Sequence, residues 1–233
     1  MNLTVQRIVE LEWNMLLQSA ELQGLSVEGD RGIFSDMRSA QFSAWSEKAA
    51  ESYLADLNVA AADNRNLILE KNIRALKFLS PEYYEEIKHL LEPVSERKEA
   101  LVTEISDMLI EQMEECYKKY PHVSTGQRLR SSEDTEEIMS VETHQKAEFM
   151  TYSETTLEAL LEHINELKAK GESLAENILD NTIRIYGFEN LAAADKAIAE
   201  RQNAILFEAP ECEGGCEGCF PDEGCPGGGC GIR

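Results

Sequence analysis

Basic residues are scarce in this chain. Only 22 Lys and Arg stand against 44 Asp and Glu, giving a formal net charge of −22 over 233 residues. Neutralising phosphates requires clustered cations, so a nucleic-acid partner is not expected. An anionic membrane surface is disfavoured for the same reason. Long apolar runs are also lacking. No window approaches the roughly 18 uncharged apolar residues that a spanning helix needs. The start, MNLTVQRIVELEW, has no positive segment leading into an uncharged apolar stretch, so no signal peptide is read there and a cytoplasmic location is expected. Glycine and proline are rare before residue 208, because eight of the fourteen glycines and three of the six prolines fall after it. Cysteine is rarer still: Cys116 is the sole one before Cys212. No strand pattern, internal repeat, glycine-rich phosphate loop, nucleophile elbow or catalytic triad is visible.

What is present is helical periodicity over a composition that is 42% hydrophobic. Apolar residues recur at helical spacing over 3–23, where Val5, Ile8, Val9, Met15 and Leu16 form a stripe. A long helical stretch, divisible in two, covers about 33–63, anchored by Phe34, Met37, Trp45, Leu54 and Leu57. Helices are expected over 65–78, over 82–91 behind the Ser80-Pro81 start signal, and from Pro93 to Lys119. Residues 121–135 carry Pro, Gly and hydroxyl residues and read as a linker dividing two helical halves. Beyond it, helices are expected over 136–150, from the Ser153 cap to Gly171, over 172–186, and from the Asn190 cap to about 207. The fold class is therefore all-α, a multi-helix bundle over 1–207 with a possible subdivision at 121–135, followed by an irregular Cys/Gly-rich tail over 208–233.

That tail holds Cys212, Cys216, Cys219, Cys225 and Cys230, spaced C-x3-C-x2-C-x5-C-x4-C. Five thiols and one Phe cannot form a core, so a metal is expected to organise the segment. Thiolates suit iron–sulfur clusters, zinc or copper(I). A four-iron cluster takes four cysteines. Cys212, Cys216 and Cys219 would supply three, and Cys225 or Cys230 the fourth. Gly214, Gly215 and Gly218 let the intervening chain curl around such a centre. The same triplet occurs in radical enzymes that cleave S-adenosylmethionine, but early in a barrel; at the end of a helical chain that reading is rejected. Zinc is the alternative, although a second C-x2-C half-site is missing. A solvated acidic tail would explain the six acids of this segment but not its five cysteines.

Polar residues also interrupt apolar stripes. Glu12 follows Ile8 and Val9, Arg38 and Gln41 share a face with Trp45, and Glu70 and Arg74 lie beside Leu69, Ile73 and Leu76. Buried charges must be paired or must bind something. Glu12, Arg38, Gln41, Glu70 and Arg74 are thus a candidate pocket for a small molecule, against the plainer alternative of a structural network. Glu86-x-x-His89 matches half of a di-metal bundle motif, with His144 and Glu148 as a weaker echo, but the motif occurs once and surface positions fit better. Cys116 continues an apolar stripe and reads as core.

Several stretches resemble a known family. LEW at 11–13, MRSAQFSAWS at 37–46, ESYLADL at 51–57, NRNLILEK at 64–71, SPEYY at 80–84, SSEDT at 131–135 and TYSETTLE at 151–158 are similar to a prokaryotic family of domains of unknown function, numbered four-one-two-five. The resemblance covers most of 8–200. It implies an all-helical fold and brings no activity with it. The expected function is a soluble helical protein carrying a cysteine-ligated iron–sulfur cluster for redox, cofactor-chemistry or cluster-delivery work, with a protein partner. The alternatives are a zinc- or copper-binding accessory protein with a docking body, or a helical enzyme built on Glu12, Arg38 and Glu70.

Overall fold

The computed structural model describes residues 2–208, apart from 23, 125 and 136. Among the described residues ten α-helices account for the architecture and no strand occurs. They are α1 (Leu3–Leu22), α2 (Arg31–Ser43), α3 (Glu47–Ala62), α4 (Leu67–Leu79), α5 (Pro81–Ile87), α6 (Glu96–Lys119), α7 (Val141–Phe149), α8 (Glu154–Ala169), α9 (Leu174–Ile185) and α10 (Leu191–Glu208).

Side-chain caps set most of the starts. Ser46, Asn66, Ser95, Ser140, Ser153 and Ser173 each accept from a backbone N–H three positions on, satisfying one of the donors that every helix N-terminus leaves free. Several ends are set by residues with positive φ. Gly171, at φ 75°, follows α8, and Glu172 N–H then bonds back to the Leu167 carbonyl at 2.9 Å. Asn64 does the same after α3 at φ 55°, with Arg65 N–H on the Ala60 carbonyl at 2.8 Å. Asparagine tolerates this left-handed position better than most residues.

The expected long stretch over 33–63 is two helices, broken at Ala44–Ser46, where Ser46 is extended (φ −64°, ψ 153°) and caps α3. The helix expected over 136–150 begins only at Val141. Asp134 draws the preceding chain away from helix, because its carboxylate accepts from Ser140 N–H and from the Thr143 hydroxyl. The described residues of the 121–135 segment are fastened to the helices around them. Asp195 accepts from the amides of His122 and Val123, Arg130 pairs with Glu114 at 2.6 Å, and Ser131 N–H donates to Glu142.

One core runs across both sides of that segment. Ile8, Tyr53, Leu57, Ile105, Leu157, Leu160, Ile164 and Leu174 are fully or nearly fully buried in a single cluster. Burying each such side chain contributes about 1.5–3 kcal/mol. A smaller cluster of Cys116, Val123, Ile183, Leu191 and Ala194 joins the end of α6 to α9 and α10. The helix expected to carry Met37 inward is rotated: Met37 is exposed, and Arg38, Gln41, Phe42 and Trp45 face the interior or its edge. The rotation follows from Phe42 and Trp45, whose rings join Tyr53, Phe149 and Tyr152 in one aromatic group.

Candidate functional site

That aromatic group forms the floor under a buried charge network. Glu12 projects from α1 into the core with no exposed surface. Arg38 on α2 meets it side-on: Nε donates to Oε2 at 2.6 Å and Nη2 donates to Oε1. Nη2 also donates to Glu148 Oε1 on α7 at 2.9 Å, so one nitrogen ties two carboxylates together. Nη1 donates to Gln41 Oε1 at 2.9 Å, and the guanidinium carbon lies 4.8 Å from the Phe42 ring centroid. Tyr53 donates its hydroxyl to Glu12 Oε1 and Tyr152 donates to Glu148 Oε1, each at 2.7 Å. Lys71 on α4 completes the set with Nζ–Glu148 Oε2 at 2.8 Å.

Two carboxylates therefore face two cations, and all four carboxylate oxygens accept at least one hydrogen bond. Burial alone would push Glu148 up, but Arg38 and Lys71 hold its carboxyl far below the ordinary range. Burial would lower Arg38, yet Glu12 and Glu148 raise it well above its usual value. Burial and the adjacent carboxylates raise both tyrosines, first of all burial, so they remain protonated donors. His144, one turn before Glu148, is lowered by burial and by Lys71. Every charge is matched inside a low-dielectric site. The arrangement fastens α1, α2, α3, α4 and α7 to one another, and removing Arg38 would strand the buried Glu12 carboxylate.

Of the five candidate pocket residues, Glu12, Arg38 and Gln41 meet in this network. Glu70 and Arg74 are engaged elsewhere. Glu70 accepts two bonds from Arg65, Nε–Oε1 and Nη2–Oε2, both at 2.8 Å. Arg65 also reaches Glu92 at 3.0 Å. Arg74 donates Nη2 to the Glu92 carbonyl at 3.0 Å. Asn66 connects this second group to α1 by donating to the Met15 carbonyl at 2.7 Å.

Sequence reasoning missed Tyr53, Tyr152 and Lys71 as members of the network, and noted Glu148 only as an echo of a metal motif. A signal existed for the first three, since ESYLADL, TYSETTLE and NRNLILEK contain them. His89 is exposed, with Nδ1 at 2.8 Å from the Glu86 carbonyl. Among the described residues no group of three or more His, Cys, Asp or Glu is disposed to hold a metal. The five tail cysteines, Cys212, Cys216, Cys219, Cys225 and Cys230, lie outside the described residues. No described helix is long and apolar enough to cross a membrane.

Comparison with known proteins places the chain in one family. The model of a family described as a protein of unknown function, DUF4125, matches residues 2–196, and the chain belongs to that family. No curated protein and no solved structure matches it.

Proposed function

We propose that this protein is a helical body bearing a cysteine-ligated metal centre on its C-terminal segment, an iron–sulfur cluster of the four-iron type. The role is redox, cofactor chemistry or cluster delivery to a protein partner. The observation that carries the reading is the spacing C-x3-C-x2-C-x5-C-x4-C from Cys212 to Cys230 in a chain otherwise almost free of cysteine. Cys212, Cys216 and Cys219 supply three thiolates, and Cys225 or Cys230 the fourth. This donor set fits the group, since four thiolates complete such a cluster and glycine lets a backbone turn its amides toward bound sulfurs. When bound, the cluster supplies one-electron chemistry or itself becomes the cargo.

The remaining cysteine supports the division of labour. Cys116 is buried among Val123, Ile183 and Leu191. Burial pushes its thiol up to about 11, with Glu176 adding to the effect. A thiol held that firmly protonated is packing, not a ligand. The family match ends at residue 196, before the first tail cysteine, which supports treating the cysteine segment as a separate functional part joined to the helical body.

Anaerobically purified protein should be brown, absorb near ~400 nm and contain iron and acid-labile sulfide. Cys216→Ser should remove most of the metal while the helical circular dichroism signal persists. Stoichiometric zinc without sulfide would transfer the reading to a zinc accessory protein. Metal-free protein, prepared anaerobically from iron-supplemented cells, would overturn it.

A further inference from the structure

A second feature lies away from both the charge network and the tail. A cavity of about 420 Å³ opens between α4, α5, the segment that follows α5, and the facing parts of α6 and α7. Its size falls within the range typical of small-molecule sites. Phe78, Tyr84, Leu91, Pro93 and Met150 give it a mainly apolar wall, and Arg74 supplies the buried polar group. The exposed Lys77, Lys88, His89, Glu85, Glu92 and Glu99 border it.

Arg74 is the unusual member. It is only 6% exposed, yet among the described residues it makes no ion pair. Among the described residues one hydrogen bond, to the Glu92 carbonyl, serves its guanidinium, and the buried Nε–H has no partner. Glu70 lies one turn before Arg74 on the same helix, but Arg65 takes both of its oxygens. Glu92 directs its carboxylate to Arg65 as well. Lys98 on α6 is half-buried and likewise makes no ion pair among the described residues. Burial and then the charge of Arg74 lower the Lys98 pKa. Two cations thus stand near each other, and among the described residues neither has a carboxylate within ion-pair distance, although Glu70 and Glu92 lie near enough to act on Arg74 and Asp56, Glu92 and Glu154 on Lys98. A buried cation without a partner is expensive, and such an arrangement is relieved by an anion.

The cover of the cavity is lightly held. Neither α5 nor the turn Lys88–Leu90 contributes a buried residue, and Phe78 at the mouth is 45% exposed. Little core packing would be disturbed by admitting a guest.

We infer that the cavity binds a small organic carboxylate, whose carboxylate pairs with the Arg74 guanidinium and whose apolar body lies against Phe78, Tyr84, Leu91 and Met150. The planar guanidinium matches a carboxylate. The apolar wall favours an anion with a hydrocarbon or aromatic portion over bare phosphate. Lys98 adds attraction at longer range.

The test uses full-length protein and calorimetric titration with phenylacetate, hexanoate and benzoate, each beside its amide, and with inorganic phosphate. At least one carboxylate should bind saturably, and its amide at least about tenfold more weakly. Arg74→Gln should weaken that carboxylate by a similar factor, while Arg97→Gln on the outer face of α6 should not. Because Arg74→Gln can disturb α4, Tyr84→Ala and Phe78→Ala provide a second arm, in which carboxylate binding should weaken with the melting temperature preserved. Equal binding of acid and amide, binding unaffected by Tyr84→Ala and Phe78→Ala, tighter binding of phosphate than of every carboxylate, or no saturable binding of any probe would each overturn the inference.

Discussion

Arg38 and Glu148 stand 110 positions apart in the chain, and Nη2 of one lies 2.9 Å from Oε1 of the other. The pair crosses the 121–135 segment and joins α2 to α7. Through the same nitrogen, Glu148 is connected to Glu12 on α1.

Arg38→Leu should therefore be among the most damaging single substitutions in the protein. It strands the buried Glu12 carboxylate and leaves Glu148 with Lys71 as its one cation, and breaking a buried pair in this way costs about 3–5 kcal/mol. Glu12→Gln keeps the shape and leaves Glu148 as a counter-ion, so its loss should be smaller, about 1–3 kcal/mol. Urea unfolding followed by circular dichroism would rank the two. An Arg38→Leu protein as stable as the parent would mean that the network carries no net stability.

The acid side of the stability profile should depend on Glu148. Its folded carboxyl titrates far below its unfolded value, which is about 4.3. The stabilisation is present above that pH and is lost as pH falls below it, because only the unfolded chain takes up the proton. Glu148→Gln should flatten the decline of stability below about pH 5, although the substitution lowers stability at neutral pH. Denaturant midpoints across that range would check it.

The alkaline side has the opposite sign. Tyr53 and Tyr152 are raised by burial, and their contribution is full below the unfolded tyrosine value, about 10, and declines above it. Cys116 adds an earlier loss, because its thiol sits at about 11 when folded and ionises lower when unfolded. In metal-stripped native protein Cys116 should resist a thiol reagent that reaches the five tail cysteines, and should react once denaturant is added. Reaction of all six at one rate in native protein would contradict its buried place.

The Asn64-Arg65-Asn66 connection should divide by role. Asn64→Gly fits the left-handed backbone and should be nearly neutral, whereas Asn64→Ala should cost about 1 kcal/mol. Asn66→Ala removes the α4 cap and the bond to the Met15 carbonyl, so a loss of about 1–2 kcal/mol is expected. Thermal melting of the three variants would show the order.

Local signals made much of this fold legible before any coordinates. Ser153 and Gly171 bound α8 because a hydroxyl that caps an amide, and a glycine free to take positive φ, act within a few residues of themselves. Leu157, Leu160, Ile164 and Leu167 face inward because helical spacing places them on one side. Glu12 and Arg38 were legible as charges on apolar faces, which is a local contradiction that sequence alone displays.

Tertiary packing decided the remainder. The partners of those charges were not legible, because nothing near Glu12 in sequence indicates that Arg38, Tyr53 and, through Arg38, Glu148 converge on it. Glu70 and Arg74 share a turn with the same pattern, but separate because Asn64 sends the chain back with Arg65 placed over Glu70. That choice leaves Arg74 with no carboxylate in ion-pair contact among the described residues, and Arg74 lines the cavity beside α4 and α5. Periodicity and caps are properties of short segments, so they survive in the linear text. Charge pairing is a property of distance in space, which only the packing of the helices fixes.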